Sequence, residues 1–156
     1  MSFNPKRLLP FRYKRERCSK IVEDCTQMWN NKFPSLSQML SILGYCSDSR
    51  SRDKIFSLLV KRMNETKGPG IMHGLKATAC LLFLVTVRQK EALYLAQNFK
   101  SKIKANLNEL KNVGTEKTAA RIFSQIIRNL LLLLNDPEAH EAALRIVHSD
   151  ILRCYD

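Results

Sequence analysis

Leu59–Val85 reads LVKRMNETKGPGIMHGLKATACLLFLV. Leading into it, Ile55, Phe56, Leu59, Val60 and Met63 recur at helical spacing. Beyond Gly68, Pro69 and Gly70 a second helix is predicted from about Ile71 to Val87. It is apolar nearly all round, as a central helix covered by its neighbours would be. The corner between the two helices is basic, with Lys61, Arg62, Lys67, His73 and Lys76. His73 and Lys76 stand at i and i+3 and share a helical face. Arg62, at the end of the preceding helix, can point into the same corner.

The pattern extends outward from this corner. Ile21, Val22, Cys25, Met28 and Trp29 mark one face of a first long helix, which NNKFPS ends. Ser35 is the expected N-cap of a short helix carrying Leu36, Met39, Leu40 and Leu43 on its apolar face. GYCSDSRSR then reads as a polar turn. After the central helix come Lys90–Phe99 and Lys100–Val113, both amphipathic and closed by Gly114. Thr115 can cap a long helix through Leu134, and Asp136 with Pro137 restarts a last one. The fold class is all-α: about eight helices, each touching mainly its sequence neighbours, stacked as a superhelix without a fixed-period repeat.

The chain has 156 residues, 45% of them apolar, enough for one domain with a substantial core. Its net charge is +12, and the excess is uneven: residues 1–76 carry fifteen basic and six acidic side chains, residues 77–156 eleven and eight. A one-sided basic surface points to a polyanionic partner, nucleic acid or acidic membrane. Cys18, Cys25, Cys46, Cys80 and Cys154 are odd in number and form no C-x-x-C pair. They read as reduced, buried thiols of a cytosolic protein, with no metal site. The longest oily runs, Ala77–Val87 and Leu130–Leu134, fall short of the roughly 20 residues that span a bilayer.

Catalysis finds no support. GPGIMHGLKAT is not a phosphate-binding P-loop, because Leu75 separates Gly74 from Lys76 and a helix precedes it. His73, His140 and His148 lack metal-binding or nucleophile-activating spacing, and no cofactor is implied. Nucleic acid is disfavoured too: FRYKRER interleaves bases and aromatics, but no recognised DNA- or RNA-binding pattern appears. Membrane binding explains more of the same residues. The leader SFNPKRLLPFRYKRERCSK joins Phe3, Leu8, Leu9 and Phe11, which can enter the headgroup boundary, to seven basic residues within positions 1–20. Each basic residue near an anionic surface contributes about 1 kcal/mol.

With the corner laid out, the stretch IFSLLVKRMNETKGPGIMHGLKATACLLFLV resembles the epsin N-terminal homology (ENTH) family. Epsin-type domains show an apolar helix ending in Lys-Arg-Leu-Asn, a short glycine-containing turn, and a His three residues before a Lys-Ala that opens an oily helix. Lys61, Arg62, Asn64, His73, Lys76 and Ala77 fall on that pattern. More loosely, EALYLAQNFKSKIKANLNEL and TEKTAARIFSQIIRNLLLLLND resemble the family's later helices. The resemblance implies a right-handed superhelix of about eight helices (residues 18–156) behind a basic, partly apolar leader (residues 1–17). It implies that Arg62, His73 and Lys76 hold an inositol phosphate headgroup, that Lys6, Arg7, Arg12 and Lys14 join them, and that the leader folds into an amphipathic helix on lipid. Lys20, Lys61 and Lys67 are weaker ligand candidates. Pro5 and Pro10 depart from the pattern; Pro10 either interrupts the leader's helix or starts the first folded one.

The expected function is that of a non-enzymatic, cytoplasmic adaptor domain, peripheral on plasma, endosomal or Golgi-derived membranes. It would bind phosphoinositides in clathrin-type endocytosis or vesicle trafficking. Clathrin or adaptor proteins would be met through regions outside this chain. The alternative is a protein-interaction module on the same fold, binding sorting signals, ubiquitin or other adaptors in its helical grooves.

Overall fold

Three of the described helices begin where a side chain takes up one of their unpaired amides. In the computed structural model residues 10–27, 33–112 and 117–135 are described, the side chains of 10–16 and 117 excepted. These residues form seven α-helices and no strand: α1 Pro10–Cys25, α2 Leu36–Tyr45, α3 Ser49–Met63, α4 Ile71–Thr86, α5 Lys90–Asn98, α6 Lys100–Leu110 and α7 Lys117–Asn135. A 3-10 turn, Gly68–Gly70, leads into α4. Pro10 opens α1, where its missing N–H costs nothing. Ser35 caps α2 in a reciprocal box with Gln38. Asp48 accepts from the Ser51 amide at the start of α3, and Gln89 from the Ala92 amide at the start of α5.

α4 is the central helix, buried from Gly74 to Leu82 and again at Leu84 and Val85. It packs on α2, α3, α5 and α7, while α1 lies over α2 and α3, and α6 lies against α5 and α7. Neighbours in sequence are therefore neighbours in space, as the short connections require. By length and composition Gly68–Thr86 is apolar enough to cross a bilayer, but 67% of that stretch is buried against the other helices. Its apolarity serves the core.

Two details correct the sequence reading. On α2, Leu36 and Leu40 are 61% and 52% exposed, and the inward face is formed by Met39 and Ile42. Ile42 and the buried Cys46 continue the Met39 row at i+3 and i+7, which turns the face away from Leu36 and Leu40 by roughly a quarter turn. The polar turn shrinks as well: α2 runs on to Tyr45 and α3 starts at Ser49, because Asp48 caps it. Met28 and Trp29, the cap at Thr115 with Gly114, Cys154, and the last helix expected from Asp136, with His140 and His148, lie outside the described residues.

Cys18, Cys25, Cys46 and Cys80 are buried thiols that form no disulfide. Burial pushes the Cys25 thiol up to about 12 and Cys46 to about 11, and raises Cys80 as well. Such thiols stay protonated and unreactive.

α4 ends in a Schellman motif. The Arg88 amide donates to the Val85 carbonyl at 3.0 Å and the Gln89 amide to Leu84 at 3.0 Å, which forces Arg88 to φ 61°. A non-glycine residue there carries a steric penalty. Arg88→Gly is expected to stabilise the domain by about 0.5–1 kcal/mol in urea unfolding, the relief exceeding the flexibility it gives the unfolded chain.

Candidate functional site

The basic corner is built where α1 ends, α3 ends and α4 begins. Arg62 lies in the last turn of α3, half-buried. Its Nη1 donates to the Glu23 carbonyl at 3.2 Å and to the Thr26 hydroxyl. Thr26 Oγ1 in turn donates to the Val22 carbonyl at 2.7 Å, so the hydroxyl is held in place to receive Arg62. Lys76 is fully buried on α4, and its Nζ donates to the Gln27 carbonyl at 2.5 Å. The two cations thus converge on the carbonyl end of α1, where unpaired acceptors and the negative end of the helix dipole favour positive charge. Burial lowers the Lys76 ammonium from its ordinary value, an effect partly opposed by the nearby Cys25.

His73 is placed differently. Its Nδ1 lies 2.6 Å from Glu65 Oε2, with the two side chains 18% and 40% exposed. Glu65 follows α3 directly, and its amide donates to the Arg62 carbonyl. It is the sole acid between Leu59 and Lys76. The glycines of the corner make room for it. A Cβ on Gly74 would stand 2.2 Å from the Glu65 carbonyl oxygen, and one on Gly70 would touch the Glu65 side chain at 3.4 Å. Asn106 of α6 braces the corner from behind, donating to the Met63 carbonyl and to Asn64 Oδ1. Thr66 donates to Glu109 Oε2 at 2.6 Å, which with Lys102 and Lys67 nearby lowers the Glu109 carboxyl.

The residues singled out from sequence therefore divide. Arg62 and Lys76 meet at one point, whereas His73 pairs with Glu65. Lys61 and Lys67 are exposed at the corner's edge, and Lys20 is exposed on α1 without a polar contact to the corner. Phe11, Arg12 and Lys14 belong to α1 by their backbone. Phe3, Lys6, Arg7, Leu8 and Leu9 lie outside the described residues. Thr26, Gln27 and Glu65 went unread. The first two show no local signal of their role, but Glu65 was visible as a lone carboxylate among five basic residues. Among the described residues no group of His, Cys, Asp or Glu gathers to hold a metal.

The state of Lys76 has a measurable consequence. Its folded value is depressed, so between that value and the ordinary lysine range the unfolded chain binds more protons than the folded one. Wild type is expected to gain stability relative to Lys76→Met as pH rises through that window. At pH 7 the variant should lie within about 1 kcal/mol of wild type, since replacing a buried charge by an apolar side chain of like size is often neutral or stabilising. Paired urea titrations from pH 7 upward check both statements.

No protein-family model matches the chain, and no curated protein matches it in sequence. Solved structures do match in fold. The ENTH domain of epsin-2, in complex with phosphatidylinositol 4,5-bisphosphate, is 21% identical, with a TM-score of 0.65 over 83% of this chain and 90% of that one. The ENTH domain of yeast Ent1 is 19% identical, with a TM-score of 0.66 over 83% and 93%. The ENTH domain of Ent2 from Candida albicans is 18% identical, with a TM-score of 0.65 over 85% and 97%. The chain has the ENTH fold.

Proposed function

We propose that this ENTH-fold domain is a non-enzymatic membrane-trafficking module that docks on phosphoinositide-containing membrane from the cytoplasmic side. Arg62, His73 and Lys76 are its headgroup ligands, and the leader's Lys6, Arg7, Arg12 and Lys14 close over the lipid. Phe3, Leu8, Leu9 and Phe11 enter the headgroup boundary beside them. The observation that carries the reading is the convergence of Arg62 and Lys76 on the end of α1, one helical turn from His73. A structural neighbour of the same fold was solved with such a lipid bound, which adds support. Arg62 donates to a carbonyl and a hydroxyl, and Lys76 to the Gln27 carbonyl, all neutral acceptors. A phosphate oxygen is a charged acceptor, and charge-assisted hydrogen bonds are about twice as strong as neutral ones. Lys76 reaches a headgroup when the Gln27 carbonyl moves off it.

The test is cosedimentation with neutral, phosphatidylserine and phosphoinositide vesicles. Arg62→Ala/His73→Ala/Lys76→Met is expected to lose at least about tenfold in phosphoinositide affinity, as removal of charged hydrogen-bond donors should. Equal pelleting of variant and wild type would leave a nonspecific basic leader and sink the proposal. Leu36 and Leu40, exposed on a helix that has no charged residue, favour a second reading as a protein-interaction module. That reading gains if no vesicle pellets the protein.

A further inference from the structure

Glu65 is an acid in the middle of a site read as anion-binding, and its position is tightly specified. Its backbone runs over Gly74, whose missing Cβ would lie 2.2 Å from the Glu65 carbonyl oxygen. Its side chain passes along Gly70, where a Cβ would touch its Cβ and Oε2 at 3.4 Å. Its carboxylate ends 2.6 Å from His73 Nδ1, and the side chain is still 40% exposed to solvent. The arrangement is a carboxylate delivered to a candidate phosphate ligand, at the mouth of the corner, over a floor cleared by glycines.

We infer that Glu65 is an internal counter-anion that sets how much negative charge a headgroup must carry to occupy the corner. The inference rests on the phosphoinositide reading given above and names the residue that tunes it. A tethered carboxylate competes at an effective concentration of about millimolar or higher, without the entropy cost of recruiting a free anion. A headgroup bearing one anionic group gains little by replacing it. A headgroup with several phosphates engages Arg62 and Lys76 at the same time as it displaces Glu65 from His73, so its extra charge offsets the exchange. Any headgroup bound alongside an undisplaced Glu65 meets a like charge within a few ångströms, which costs affinity. A headgroup with one phosphate, which leaves Glu65 in place, bears that repulsion, whereas one with several phosphates escapes it by displacing Glu65. The corner therefore responds to the number of phosphates more steeply than three cations alone would.

The experiment uses the full chain with vesicles of phosphatidylcholine carrying phosphatidylserine, a monophosphorylated phosphoinositide or a bisphosphorylated one. Glu65→Gln keeps the side chain's length and its hydrogen bond to the imidazole, so the fold is preserved; thermal unfolding of each variant verifies that. Glu65→Gln is expected to bind the monophosphorylated lipid about tenfold more tightly, the order expected for removing one adjacent like charge. The bisphosphorylated lipid gains less, so the preference between the two narrows. In Glu65→Gln/His73→Ala the gain shrinks, because a neutral amide at position 65 yields the imidazole to phosphate more readily than the carboxylate does and that ligand is now absent. Should Glu65→Gln bind every vesicle as wild type does while the Arg62/His73/Lys76 variant loses phosphoinositide, the counter-anion role is wrong and the corner stands. Should the Arg62/His73/Lys76 variant bind as wild type, both readings fall together.

Discussion

Gly74→Ala is expected to lower the stability of the domain by about 3 kcal/mol, at the upper end of the usual cost of overpacking. The added methyl group has nowhere to go. It would stand 2.2 Å from the Glu65 carbonyl oxygen, 2.6 Å from Phe123 Cε2 and 2.9 Å from Phe123 Cζ. The aromatic ring could shift slightly, but the carbonyl belongs to the backbone of a braced corner, held by the Asn106 and Thr66 hydrogen bonds. Alanine's better helix propensity returns only about 1 kcal/mol or less. In a domain of this size the melting temperature should fall by about 6–12 °C, at about 2–4 °C per kcal/mol. A variant that melts within about 2 °C of wild type would mean that the corner is far softer than its packing indicates.

Phe123→Ala should cost more, about 3–5 kcal/mol. The ring is fully buried on α7, closes over Gly74 on α4, and joins the two helices that share the most extensive packing among the described residues. Removing it loses both transfer free energy and the contacts that would line the void. The two substitutions are not independent. In a Phe123→Ala background the aromatic half of the Gly74→Ala clash is relieved, while the clash with the Glu65 carbonyl remains. The double variant should therefore be less destabilised than the sum of the two, by about 1 kcal/mol or more. Urea unfolding of the four proteins measures that coupling. Strict additivity would show that Phe123 and Gly74 do not meet.

The fold was legible because its decisive element is extreme. A helix apolar on every side, α4, has to be central, and the capping box at Ser35 and the proline at the head of α1 mark helix starts by local chemistry alone. The face of α2 was misread because Cys46 was assigned to a turn, which left Leu36 and Leu40 to complete the stripe that Ile42 and Cys46 in fact complete. The cations of the corner were legible from spacing, since i and i+3 positions share a face whatever surrounds them. Their acceptors were not. Thr26 lies 36 residues from Arg62, and Gln27 lies 49 from Lys76. No periodicity brings a distant carbonyl to an ammonium. That pairing exists only once α1 is laid across the ends of α3 and α4. Nor could spacing show that Lys76 is wholly enclosed, because burial depends on every neighbour of α4 at once.

Arg62 and Lys76 hold the carbonyl end of α1, which runs unbroken from Pro10 and packs on α2 and α3 along its way. Sixteen residues at 1.5 Å each make it about 24 Å long. The corner and the point where residues 1–9 enter the fold are therefore two ends of one continuous helix, docked along its length.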